Sequence, residues 1–251
     1  MQAYWTLTRR ELGAYFISLA GYVIIAVSVF QMGLSFVILL EKLRSESTLM
    51  PITELFYITP FFWCILLLSA PLITMRLFAL EKYSGTFETL MTAPVGDLQV
   101  VLAKFTAALV FHMLMWLPLL GCVFVVQHYS SAPGVVDYGT IGSTFFGILL
   151  LGSLFMSLGA FASALTRSQI VAAVLALAFG LSLFFLGFLA EQVPNPQGGW
   201  MLDALNYIAM IDHMKDFSRG VVDTRHVVFY LTGTVFFLFL TYRVVESRRW
   251  K

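Results

Sequence analysis

Charge is what this sequence has least of. Only 12% of its 251 residues are Asp, Glu, Lys or Arg, 15 basic against 14 acidic, whereas 59% are hydrophobic. An average soluble domain carries about twice that share of charge, so the chain cannot clothe a water-exposed surface and reads as a polytopic membrane protein. The near balance of signs, a formal net charge of +1, leaves no basic footprint for nucleic acid. Cysteine is almost as scarce. Cys64 and Cys122 cannot staple a secreted fold, and both lie in apolar runs where small buried hydrophobes are expected.

Other chemistry is missing as well. None of the lysines, at 42, 82, 104, 215 and 251, follows glycine in a Gly-Lys-Ser/Thr phosphate loop, so the chain is not expected to bind nucleotide or to be an enzyme. The four histidines, at 112, 128, 213 and 226, show no metal-ligand spacing with Cys, Asp or Glu. No Gly-x-Ser-x-Gly string is present, and Ser143, Ser153 and Ser157 sit among small residues. The long apolar runs hold no carboxylate, where ion-coupled carriers keep ionisable groups despite their insertion cost. His112 is the main polar exception, and a histidine hydrogen-bonded to a neighbouring helix is its expected role.

What is present are six stretches without Asp, Glu, Lys or Arg, at 12–40, 55–75, 105–127, 138–166, 168–190 and 226–242. A helix needs about 20 apolar residues to cross a bilayer, so six transmembrane helices follow. The first stretch, about 43 Å of helix, exceeds one span. Its start is expected to belong to an amphipathic helix in the headgroup plane, with apolar positions 4, 5, 8, 12, 15 and 16 opposite Arg9 and Arg10. A cleavable signal peptide is not expected, because no small-x-small site follows the run before Glu41. With six spans, Arg9, Arg10, Arg76, Lys82, Lys104, Arg167, Arg243, Arg248, Arg249 and Lys251 fall on one side, and Lys42, Arg44, Lys215, Arg219 and Arg225 on the other. The positive-inside rule then places both termini in the cytoplasm.

Small residues recur four apart, as in Ser143…Gly147, Ser153…Ser157, Gly159…Ser163, Ala160…Ala164, Ala172…Ala176 and Ala176…Gly180. They fit close packing of the fourth and fifth spans, or a dimer or conduit surface. Pro118 should break the third span locally. After the second span, residues 80, 83, 87, 90 and 91 share an apolar helical face, with Glu81, Lys82, Glu88 and Thr89 elsewhere and Gly85 interrupting. Its acidic residues suit an anionic leaflet poorly, which favours docking on a cytoplasmic partner. Beyond the fifth span, Pro194–Gly199 marks a turn. Trp200, Leu202, Leu205, Ile208, Ala209, Ile211, Met214 and Phe217 then follow at helical spacing, as in a helix capping the outer face.

The stretch MRLFALEKYSGTFETLMTAPV at 75–95 resembles the loop after the second helix of ABC-2-type transporter permeases. The resemblance extends to RRELGAYF at 9–16, ASALTRSQIVAAVLAL at 162–177, HMKDFSRGVVDTRHVVFYL at 213–231 and RVVESRRW at 243–250. The stretch RGVVDTR is most similar to the gliding-motility-associated branch. The chain departs from family usage with Ser18-Leu19 in place of Ser-Pro, and with Leu80-Glu81 in place of an acidic pair.

The resemblance implies a single all-α domain over 1–251. Six spans would be joined by an amphipathic N-terminal helix, a cytoplasmic coupling helix between helices two and three, and short external helices between five and six. It implies half of a translocation pathway, which moves its substrate, by export, in the bacterial inner membrane. Glu81, Gly85, Thr86 and Glu88 would lie in or beside the coupling helix and Arg167 in the second cytoplasmic turn. The partners implied are ABC ATPase subunits carrying ATP and Mg2+, a second permease subunit (homodimer or heterodimer), and an extracytoplasmic accessory protein. A non-transporting scaffold in an ATP-driven gliding or secretion machinery is the alternative. An autonomous channel or carrier is disfavoured by the missing intramembrane carboxylates.

Overall fold

The uncharged runs become helices. The computed structural model describes residues 2–45, 53, 57, 59–87, 95–129, 137–192 and 207–247. Among these residues there are ten helices: α1 (Gln2–Ile17), α2 (Leu19–Ser45), α3 (Pro60–Thr74), α4 (Ala79–Ser84), α5 (Asp97–Trp116), α6 (Pro118–Tyr129), α7 (Tyr138–Leu165), α8 (Gln169–Gln192), α9 (Met210–Ser218) and α10 (Thr224–Glu246). Six segments are long and apolar enough to cross a membrane: Leu19–Lys42, Pro60–Ser84, Asp97–Tyr129, Tyr138–Leu165, Gln169–Leu189 and Thr224–Glu246. The protein is thus an all-helical, polytopic membrane protein. The third of these segments is divided at Leu117, where Pro118 cannot donate to the helical ladder.

Two expectations about faces are corrected. Helix α1 does not simply lie on lipid; it packs along α5. Leu7, Thr8 and Tyr15 are buried, the Tyr4 hydroxyl donates to Thr106 Oγ1 at 3.0 Å and the Tyr15 hydroxyl to the Ile73 carbonyl at 3.0 Å. Tyr15 also stacks on Phe111 with ring centroids 4.7 Å apart. The apolar positions are divided: Tyr4, Thr8, Leu12 and Tyr15 turn to the core, and Trp5 and Phe16 are exposed. The chain turns at Ser18, whose hydroxyl accepts from the Gly21 amide at 3.2 Å and donates to the Tyr15 carbonyl at 3.3 Å. A Cβ on Gly21 would overlap that carbonyl. The cysteines are the second correction. Cys64 is exposed and Cys122 half-buried, because in a bilayer an apolar side chain gains nothing by turning inward.

Helix α7 is the axis of the bundle, touching α3, α5, α8, α9 and α10 and buried over most of its length. Its small residues meet three partners in turn rather than the fifth span alone. Gly147 faces Phe217 of α9, Gly152 faces the His112 ring of α5, and Gly159 faces Thr74 of α3. On the other two contacts the neighbour supplies the glycine, Gly180 of α8 against Phe155 and Gly233 of α10 against Leu154. Close backbone approach is what holds helices together in lipid, where the hydrophobic effect is absent. Replacing Gly159 by Ala puts a methyl group into the Thr74 side chain, which already donates to the Ala70 carbonyl at 2.7 Å. The expected loss is about 1–3 kcal/mol, measured as a lowered unfolding midpoint in detergent.

Candidate functional site

At one end of the bundle the chain leaves α3 through residues 75–78 and forms the six-residue helix α4. So short a helix cannot be stable alone, and its position is set by neighbours. Ser163, near the last turn of α7, accepts from the backbone amides of Phe78 and Ala79, both at 3.1 Å, and donates to the Met75 carbonyl at 3.2 Å. One buried hydroxyl thereby satisfies amides that open α4, which has no side-chain cap of its own. Lys82 donates to the Ala164 carbonyl, a cation at the negative end of α7, and its ammonium lies 5.4 Å from the Phe87 ring centre. Gly85 closes α4 with φ of 74°, a left-handed conformation that side-chain-bearing residues resist.

Beside this junction lies a balanced cluster of two cations and two carboxylates. The Lys104 side chain, on α5, is 1% exposed and places Nζ 2.8 Å from Glu81 Oε1 and 3.3 Å from Glu11 Oε1. Arg10 reaches the same two carboxylates from the outside, at 2.8 Å to Glu11 and 3.5 Å to Glu81. Three elements meet in it: α1 through Arg10 and Glu11, α4 through Glu81, and α5 through Lys104.

The apolar side of α4 is the side that faces away from the bundle. Glu81 and Lys82 turn inward, and Leu80 and Tyr83 turn outward. Glu81 and Lys82 find their partners inside and Phe87 is buried, while Thr89, Leu90 and Met91 lie outside the described residues. The outer surface carries Leu80, Tyr83 (79% exposed), Ser84, Gly85 and Thr86. Arg167 is exposed in the turn between α7 and α8. Because Lys82 holds α4 against Ala164, that turn and α4 share one end of the molecule. Glu88 lies outside the described residues.

The sequence marks Lys82 only on a polar face and Ser163 only in a packing pair, and gives Lys104 and Glu11 no place in the site. The available signal was Lys104 itself. It interrupts the apolar stretch VVLAKFTAAL, and a cation so placed requires an acidic partner.

At the opposite end α9 lies against α7, with Met210, His213, Met214 and Phe217 buried. Ser143 Oγ donates to the Phe217 carbonyl at 2.6 Å, and Thr53 Oγ1 to the Ser218 carbonyl at 2.7 Å. The His213 and His226 rings lie 3.9 Å apart. His213 Nδ1 is 3.3 Å from the Tyr230 hydroxyl and His226 Nε2 is 2.9 Å from Asp216 Oδ2. Burial, reinforced by His226, holds the His213 imidazole below its ordinary value, at about 4. Gly220, with φ of 87°, makes the turn toward α10 that Arg219-Gly220 foreshadows. The 194–199 turn and Trp200, Leu202 and Leu205 fall outside the described residues. Within α5, His112 accepts from Trp116 Nε1 at 3.1 Å, so its bond is made inside its own helix, not to a neighbour. Among the described residues, no group of three or more His, Cys, Asp or Glu side chains could hold a metal.

The chain matches the family described as ABC-2 family transporter protein over residues 11–246. The match reaches that family and gives no support to the gliding-motility branch. No curated protein matches the chain.

Proposed function

The chain belongs to the ABC-2 family of transporter proteins, the membrane component of an ABC transporter that associates with an ABC ATPase, and from this premise we propose that α4 is the element through which it is driven. The observation that carries the proposal is the outward presentation of Leu80, Tyr83, Ser84, Gly85 and Thr86 on a helix fastened on its inner side to α1, α5 and α7. Exposed apolar side chains beside a charged cluster at the end of a bundle fit a protein partner. Arg167, in the neighbouring turn, supplies a second contact. Glu81 acts from within, as a positioning residue, by its bond to Lys104.

In this reading ATP and Mg2+ bind the ATPase, and a second permease subunit, identical or related, completes the pathway. The substrate leaves the cell, and both termini are cytoplasmic in a bacterial inner membrane. Arg9, Arg10, Arg76, Arg167 and Arg243 lie toward the α4 end and Lys42, Lys215, Arg219 and Arg225 toward the other, which supports that orientation.

The test is affinity purification of the tagged chain in mild detergent from its native host. An ABC ATPase should co-purify, and Tyr83→Glu should lower its recovery at least tenfold while leaving the subunit's thermal unfolding unchanged. Undiminished recovery with Tyr83→Glu places the contact elsewhere.

A further inference from the structure

We propose that the outer face of α1 binds the headgroup of an anionic phospholipid from the leaflet at the α4 end. With the Tyr4–Leu7–Thr8–Tyr15 face committed to α5, an open groove runs along the remaining side, lined by Arg9, Arg10, Gly13, Ala14, Ile17 and Ser18. These are two adjacent rows at four-residue spacing, 9–13–17 and 10–14–18, which an α-helix places side by side. Gly13 and Ala14 give the groove a floor almost without side chains.

Its charge is unbalanced. The two carboxylates nearby, Glu11 and Glu81, are already shared between Arg10 and Lys104. Arg9 is exposed and has no ion pair among the described residues. At the far end Ser18 accepts from Arg76 Nη1 at 3.2 Å. Arg76 is half-buried and meets a neutral hydroxyl there, with no carboxylate partner among the described residues. Two guanidinium groups without counter-ions thus bracket about 14 Å of helix.

The surroundings identify the anion as lipid. Ile17 is 87% exposed, and Leu19, Trp5 and Tyr22 are also exposed, an apolar margin that a bilayer covers and a soluble anion would not. A tryptophan beside arginines is the composition of the membrane–water interface. Each basic side chain near an anionic surface favours binding by about fivefold, and the guanidinium fork matches a phosphodiester geometrically. Neither the ATPase nor the substrate enters this inference, and it stands apart from the docking of α4.

The intact subunit in mild detergent is titrated with phosphatidylglycerol or phosphatidylcholine, and bound lipid is counted by native mass spectrometry. Phosphatidylglycerol should be retained about tenfold more strongly. Arg9→Gln with Arg76→Gln should remove that preference. Arg9→Gln alone, at an exposed position, should reduce it about fivefold even if the double variant fails to fold. Equal binding of the two lipids overturns the proposal, as does an undiminished preference in Arg9→Gln. Displacement of phosphatidylglycerol by millimolar inorganic phosphate also overturns it, by showing a site for soluble anions instead.

Discussion

Lys104→Met will destabilise the subunit by about 3–5 kcal/mol, the cost of removing one partner from a buried ion pair. Lys104 is the innermost member of its cluster and approaches both Glu81 and Glu11. Without it the two carboxylates keep only Arg10, whose side chain is 58% exposed and correspondingly screened. Glu81 Oε2 is already buried without a hydrogen-bond partner, so that carboxylate has no alternative donor at hand. The relief open to the protein is to let α4 or α1 swing toward water. The expected signature is a lowered thermal midpoint together with new protease cleavage near Gly85. Removing both ends of the shortest bond, as Lys104→Met with Glu81→Leu, should restore most of the loss, since apolar replacement of an entire buried pair is close to neutral. Arg10→Gln should cost less than about 1 kcal/mol. A small effect of Lys104→Met would mean that the cluster does not tie α1, α4 and α5 together.

The positions of the spans were legible because a bilayer imposes one rule on all of them, about 20 residues without charge. The breaks at Ser18 and Leu117 were legible for local reasons, excess length in one case and Pro118 in the other. What could not be read was which side of a helix faces inward. In a soluble domain the apolar stripe is the buried one, and that logic placed Cys64 and Cys122 inside, whereas Cys64 is exposed and Cys122 half-buried. Where lipid surrounds the bundle, apolar side chains satisfy themselves on the outside, and it is the charged and small residues that require protein partners. Lys82 on the Ala164 carbonyl and Gly159 under Thr74 are two forms of that requirement. The small-residue spacing was visible in the sequence, but its partners were not, because each of Gly147, Gly152 and Gly159 meets a different helix. Glu81 and Arg167 lie at one end of the molecule, but the periodicity of 80–91 does not tell that Glu81 turns inward to Lys104.

Acidification should loosen α9 from the opposite end of the bundle. His213 is buried, and burial is the main reason its imidazole titrates at about 4 instead of its ordinary 6.5. His226 adds to the depression, while Asp216 and Asp223 oppose it. Tyr230, the remaining polar neighbour, contributes a hydroxyl 3.3 Å from Nδ1. Because the folded form takes up its proton at lower pH than the unfolded form, the unfolded state holds more protons between these values. The stabilisation is complete above about pH 6.5 and is lost progressively as the pH falls toward 4, amounting to about 3 kcal/mol at most. Hydrogen exchange of the Met210–Ser218 amides should quicken over that window, well before the rest of the bundle responds, since α9 is held by one buried face and a few hydrogen bonds. His213→Phe removes the titrating group and keeps an aromatic ring against Phe229 and Tyr230, so it should flatten the pH dependence without detaching α9 at neutral pH. An unchanged acid response in His213→Phe would show that His213 is not the source of the sensitivity.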